Sequence, residues 1–163
     1  MSRYRRNYIA GGTFFFTVKL ADPKSRLLVE HIDLLREAYA FVQKRYPFET
    51  VAICVMPNHL HAVWTLPDGD SDYSLRWRLI KTRFSHHFAA SNVLSASKQR
   101  RHEKGIWQRR FYEHTVRDEA DLQRVVDYVH FNPVKHGFSA SVKASVACIT
   151  HPPRAWLRHP PYL

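Results

Sequence analysis

Cysteine is scarce. Only Cys54 and Cys148 occur among 163 residues. Two cysteines argue against a disulfide framework and against a zinc site built on thiolates. Cys54 lies in an apolar run and reads as a core thiol. Long apolar runs are also missing, so no segment reads as a bilayer span and no membrane partner is expected. The first ten residues are basic and aromatic without an apolar stretch, which argues against a signal peptide and points to the cytoplasm. Acidic residues are outnumbered, 14 Asp and Glu against 25 Lys and Arg, for a net charge of +11. Such an excess points to a polyanionic partner, because phosphates neutralised by cationic side chains release counterions. A nucleoid-associated location would follow. No internal repeat is visible.

What is present is a chain of one-domain length. A hydrophobic fraction of 45% is enough to bury a core. Residues 13–20 alternate as a strand, with Phe14, Phe16 and Val18 on one face and Phe15 and Thr17 on the other. From Leu28 the period changes. Leu28, Ile32, Leu35, Tyr39, Val42 and Tyr46 recur at spacings of three and four, which predicts one amphipathic helix ending before Pro47. Residues 51–56 and 59–66 read as a hairpin turned by Pro57 and Asn58. Trp77, Ile80, Phe84 and Phe88 mark a second helix whose other face carries Arg76, Arg78, Lys81 and Arg83. Residues 91–105 are polar and basic and read as a loop. A fourth strand is expected over 107–116. Asp118 then caps a third helix, with Asp121 three residues on as a capping-box-like partner. Pro133 should end that helix near Phe131 or Asn132. Residues 1–138 thus form one domain, and 139–163, with four prolines, an irregular tail. The order β-α-β-β-α-β-α predicts an α+β fold, a ferredoxin-like split β-α-β sandwich with a four-stranded antiparallel sheet and an added C-terminal helix.

Two constellations carry chemistry. On a strand, His59 and His61 point the same way and can ligate one divalent cation, while Leu60, Ala62 and Trp64 point into the core. Alone the signal is weak. Roughly one His-x-His is expected by chance at this histidine content, and two plain sheet histidines would read the same. The second constellation is the run from Asp127 to Gly137. Leu122, Val125, Val126 and Val129 form the apolar stripe of the last helix, and Tyr128 falls roughly 110° from its centre. That suits a site beside the helix better than a core. Asn132 follows one turn later. A tyrosine hydroxyl can attack a phosphodiester and hold the 5′ phosphate as an ester. An interface tyrosine with Asn132 as a helix cap fits the helix equally well.

The motifs taken together narrow this. Val55-Met56-Pro57-Asn58-His59-Leu60-His61-Ala62-Val63-Trp64 resembles the histidine–hydrophobic–histidine (HUH) strand of IS200-like single-tyrosine transposases. The segments 105–114 (Gly-Ile-Trp-Gln-Arg-Arg-Phe-Tyr-Glu-His) and 128–137 (Tyr-Val-His-Phe-Asn-Pro-Val-Lys-His-Gly) are similar to the branch called REP-associated tyrosine transposases. So are Tyr4-Arg5-Arg6, residues 11–17 and residues 74–81. The resemblance runs from about residue 3 to residue 138 and departs after Gly137, where the family usually continues with a Trp-Pro-x-Ser-Ser-type segment. It implies a ferredoxin-like core, Mg²⁺ or Mn²⁺ as cofactor, and cleavage of single-stranded DNA beside palindromic hairpins through a 5′-phosphotyrosine, leaving a free 3′-OH. By motif position it implies Tyr128 as nucleophile and His59, His61 and Asn132 as metal ligands. Its implied substrates are repetitive extragenic palindromes.

The basic groups expected to hold such DNA are Arg3, Arg5 and Arg6; Arg76, Arg78, Lys81 and Arg83; and Arg109 and Arg110. Phosphate contacts would dominate, with unpaired bases stacking on aromatics such as Tyr4, Tyr8, Trp77 or Trp107. Either a monomer or a homodimer is compatible with the sequence. Two other readings stay open: a hairpin-binding module that does not cut, and a metal-dependent phosphodiesterase that hydrolyses with water.

Overall fold

A computed structural model describes residues 6–90, 104–137 and 148–150, the last three by backbone alone. The tail beyond 150, Arg3, Arg5, Tyr4 and most of the 91–105 loop lie outside the described residues. The elements are β1 (Thr13–Lys19), α1 (Leu27–Glu30), α2 (Ile32–Arg45), β2 (Glu49–Val55), β3 (His59–Thr65), α3 (Tyr73–Ser85), β4 (Tyr112–Thr115), α4 (Glu119–Lys135) and β5 (Cys148–Thr150). The sheet order is β4-β1-β3-β2-β5, with every pairing antiparallel. Its first four strands have the order of the ferredoxin-like split β-α-β unit. β5 adds a fifth at the β2 edge, inside the stretch the sequence reads as irregular. Among the described residues no helix is long and apolar enough to cross a membrane.

Alternation along the strands divides the interior into two cores. Phe14, Phe16 and Val18 of β1 and Leu60, Ala62 and Trp64 of β3 enter the larger one, under α2 and α3. Trp64 stacks on Trp77 at 4.1 Å and 15°, and its indole N–H donates to Tyr39 Oη at 2.8 Å. Tyr39 Oη also meets Thr50 Oγ1 at 2.5 Å. Both polar ends are therefore satisfied where burial would otherwise penalise them. Trp77 and Phe84, on the apolar face of the second helix in the sequence, are 1% and 0% exposed and belong to this core, so Trp77 is not free to stack on a base. On the opposite face Phe15, Ala52, Cys54, Met56 and Val63 pack against Val129 of α4. Cys54 is held in a disulfide rather than as the expected free thiol. The ladder sets its Cα opposite that of Cys148.

Two helix expectations need correction. The helix expected from Leu28 is broken at His31 (φ −122°, ψ 41°). The Leu28 N–H bonds the Pro57 carbonyl at 3.2 Å, so the first turn is tied to the β2–β3 connection and not to the axis of α2. Pro133 does not end α4. The helix continues to Lys135 with proline inside it. His136 N–H still reaches Asn132 O at 3.1 Å and Gly137 N–H reaches Val134 O at 3.0 Å, so the last turn forgoes only the proline's own donor. The N-cap of α4 is as expected, with Asp118 accepting from the Asp121 N–H at 2.8 Å, whereas the Asp121 carboxylate accepts from the Arg117 N–H at 3.1 Å in place of a capping-box return.

Arg76 corrects the basic-face reading of α3. Its side chain is 2% exposed and pairs with Asp70 at 2.6 Å. Its remaining N–H groups donate to the carbonyls of Tyr46, Pro47 and Asp72. It is a buried clamp joining three segments, unavailable to DNA. Arg76→Ala would strand those acceptors and is expected to cost about 3 kcal/mol. A fall in urea midpoint with unchanged slope would report it. A midpoint within error of wild type would contradict this account.

Candidate active site

The site is assembled from β3 and α4, with β1 beside β3 in the sheet. Being two residues apart on β3, His59 and His61 face α4 together, their rings 5.0 Å apart. Each ring is held by its Nδ1. His61 Nδ1 meets Thr17 Oγ1 on β1 at 2.9 Å. His59 Nδ1 meets Asn58 Oδ1 at 2.6 Å. The Asn58 amide nitrogen donates to the Pro23 carbonyl, which fixes its oxygen towards the ring. That oxygen only accepts, so His59 Nδ1 carries the proton and Nε2 keeps its lone pair. His61 is 3% exposed, and its Nε2 is buried without a hydrogen-bond partner.

Tyr128 stands beside this pair. Its ring meets His61 edge-on at 5.2 Å and 76°, and Phe15 at 5.7 Å and 86°. It remains 44% exposed, so the phenol borders the site without being sealed in the core. Because α4 continues through Pro133, Asn132 keeps its place one turn beyond Tyr128. Asn132 is 1% exposed and lies against both imidazoles. Neither its amide oxygen nor its amide nitrogen makes a well-formed hydrogen bond. His136, at the end of α4, brings its ring to 5.7 Å from His59. Lys135 Nζ lies 5.9 Å from the Tyr128 ring centre.

Burial, then the charges of His136 and Lys19, pushes His59 down to about 4. Burial, then His59 and Lys19, pushes His61 down to about 3. Both rings are therefore neutral near pH 7, the form that ligates metals. Unfolded imidazoles take up protons near 6.5, which the fold resists until about 4. The metal-free protein is thus expected to lose stability as pH falls through this window. Urea melts at about pH 7.5 and 4.5 should show a steeper loss for wild type than for the His59→Gln, His61→Gln double variant. Equal slopes would remove the argument.

The donor set suits a hard or borderline divalent cation. Two neutral imidazole nitrogens and one amide oxygen converge, and the otherwise orphaned His61 Nε2 and Asn132 Oδ1 would each gain a partner. Among the described residues no cluster of three or more His, Cys, Asp or Glu side chains could hold a metal. Among the described residues, the further donor beside the histidine pair is the Asn132 amide.

The expected DNA contacts are scattered. Arg6, Arg78, Lys81 and Arg109 line one cleft of about 650 Å³ between α3 and the segment before β4, floored by Trp107 and Phe111. Within it Arg6 donates to Ser74 Oγ at 2.5 Å and lies 4.2 Å over the Phe111 ring. Lys81 reaches the Gln108 carbonyl at 2.6 Å. Arg83 lies elsewhere, paired with Glu37 at 3.0 Å and stacked on Phe41. Arg110 is exposed. Tyr8 is exposed and stacked on Tyr73 at 5.2 Å. The sequence reading left Thr17 and Phe15 without a role. Their alternation placed them correctly on the second face of β1, but only the register to His61 and Tyr128 reveals what they hold.

Comparison with known proteins follows the same lines. A family model described as "Transposase IS200 like" matches residues 21–132. The chain is 46% identical over 142 residues to a REP-associated tyrosine transposase of Escherichia coli (strain K12), spanning 87% of this chain and 78% of that protein. It is 43% identical over 144 residues to a Haemophilus influenzae protein provisionally given the same description, spanning 88% and 82%. A solved structure of a REP-associated tyrosine transposase bound to a REP hairpin aligns with a TM-score of 0.79 at 44% identity, covering 91% of this chain and 82% of that one.

Proposed function

The chain belongs to the IS200-like transposase family, a family of enzymes, and on that premise we propose that it cleaves and rejoins single-stranded DNA beside hairpins, with Tyr128 as nucleophile. The observation that carries this reading is the half-exposed Tyr128 phenol standing 5.2 Å from the buried ring of His61. The family generally uses a divalent metal. Here Mg²⁺ or Mn²⁺ would be held by His59, His61 and Asn132. When bound, such an ion polarises the non-bridging oxygens of the scissile phosphate.

The chain's own groups do the rest. Tyr128 Oη forms a bond to phosphorus and the P–O3′ bond breaks, leaving a 3′-OH on one strand and a 5′-phosphotyrosine on the protein. Attack by a 3′-OH on that ester restores a phosphodiester and frees the phenol. Thr17 and Asn58 fix the imidazoles so that neither must reorient during reaction. Phe15 fixes the phenol's position. The relatives' name points to repetitive extragenic palindromes as the hairpins, which the cleft lined by Arg6, Arg78, Lys81 and Arg109 would grip through phosphates. Residues 1–138 would form the catalytic domain, acting on the nucleoid in the cytoplasm.

A labelled hairpin oligonucleotide with single-stranded flanks, incubated with the protein and Mn²⁺ and run on a denaturing gel, tests this. A slow-migrating protein–DNA adduct that chelation prevents is expected. Cleavage without an adduct would favour hydrolysis by water. Binding without cleavage would favour a hairpin-binding module.

A further inference from the structure

The α4 side of the sheet carries a second exposed tyrosine. The β1–β4 register sets Thr17 opposite Tyr112 and Phe15 opposite His114. Residues directly opposite one another share a face. Tyr112 therefore shares the face that bears His61 and Tyr128. Phe15, only 6% exposed, lies between the two phenols. Tyr112 meets its ring at 6.2 Å and 66°, and Tyr128 meets it at 5.7 Å and 86°. Tyr112 is 56% exposed, more than Tyr128. It also lines an open cleft of about 670 Å³ along β4, with His114, Arg117 and Asn7 among its walls.

An aromatic ring held edge-on by a buried neighbour, with its other surface in water, suits stacking on a planar ligand. The site supplies the ligand's position. Once Tyr128 holds a phosphate, the adjoining nucleotides must cross the surface next to its phenol. On one side stand His59 and His61. On the other stands Tyr112. The rim beyond Tyr112 carries two arginines, both ion-paired with one aspartate. Arg117 and Arg124 flank Asp121 there, with side chains 72% and 64% exposed. Although burial works against it, hydrogen bonds from His114, the Arg117 N–H and Arg124 keep Asp121 ionised.

We propose that Tyr112 is a base-stacking residue that holds an unpaired base of the single-stranded flank next to the phosphate attacked by Tyr128. The inference rests on the strand-transfer reading. It assigns Tyr112 no sequence preference, since every base presents a π face. Its part is to fix the backbone next to the scissile bond.

The test is a coupling cycle. Hairpin oligonucleotides carrying an abasic site at each flank position in turn are titrated, in Tyr128→Phe protein, against intact Tyr112, Tyr112→Ala and Tyr112→Phe. With intact Tyr112, one flank position should lose roughly tenfold in affinity when made abasic, the scale of a single base–aromatic stack. Tyr112→Ala should show that loss on intact DNA and no further loss at that abasic position. Tyr112→Phe, which keeps the ring, should restore the wild-type pattern. A hairpin without flanks should bind all three alike. Additive losses at every position, or a flankless hairpin bound more weakly by Tyr112→Ala, would overturn the assignment. These binding measurements need no chemistry. Failure of strand transfer would appear separately, as a wild-type protein that forms no adduct.

Discussion

Tyr128→Phe is expected to abolish the covalent protein–DNA adduct and to lower cleavage by at least about three orders of magnitude, the scale on which loss of a nucleophile is felt. The substitution removes one oxygen. The ring remains, and with it the edge contacts to Phe15 and His61. Since the side chain is 44% exposed, stability should stay within about 0.5 kcal/mol of wild type. Hairpin affinity should be unchanged, because phosphate contacts elsewhere supply most of it. Denaturing gels report the adduct, and mobility shifts report the binding. Full cleavage with an adduct still formed by Tyr128→Phe would move the nucleophile to another residue, and the active site would have to be rebuilt around it.

The position of Tyr128 was legible because two periodicities are strong here. Leu122, Val125, Val126 and Val129 define the packed side of α4, so Tyr128 had to fall beside it. Alternation on β3 sent Leu60, Ala62 and Trp64 into one core and the two histidines to the opposite face, as the structure has it. What sequence periodicity cannot carry is the meeting of distant segments. Arg76 looks like a solvated cation on a helix. Its burial depends on carbonyls from Tyr46 and Pro47, some thirty positions away, which happen to converge on it. Tyr112 alternates correctly within its strand, yet only the β1–β4 register places it on the face of the nucleophile. Pro133 misled for a local reason. A proline forbids one donor and crowds the preceding turn, but within the last turn of a packed helix that penalty is small enough for tertiary contacts to outweigh. Pro133 and Asn132 are both buried there. The break at His31 and the disulfide at Cys54 likewise depend on neighbours the local pattern does not name.

His61→Ala is expected to eliminate metal-dependent cleavage, by about two to three orders of magnitude, and to abolish Mn²⁺ binding measured by calorimetry without DNA. The cause is local. His61 offers a buried, neutral, unpartnered Nε2 in a ring that Thr17 holds still. No carboxylate among the described residues joins the pair to take its place. His59→Ala should act the same way, since one imidazole and one amide make a poor site. Stability should respond differently from an ordinary core truncation. Removing His61 opens a cavity between Phe15 and Tyr128, but it also removes a buried nitrogen that the metal-free protein cannot satisfy. These oppose each other, so the metal-free melting temperature should fall by only a few degrees. Addition of Mn²⁺ should then stabilise wild type and leave His61→Ala unmoved, because a ligand raises stability only through the folded state that binds it. A His61→Ala protein that still gained stability from Mn²⁺ and still cleaved would place the cation elsewhere.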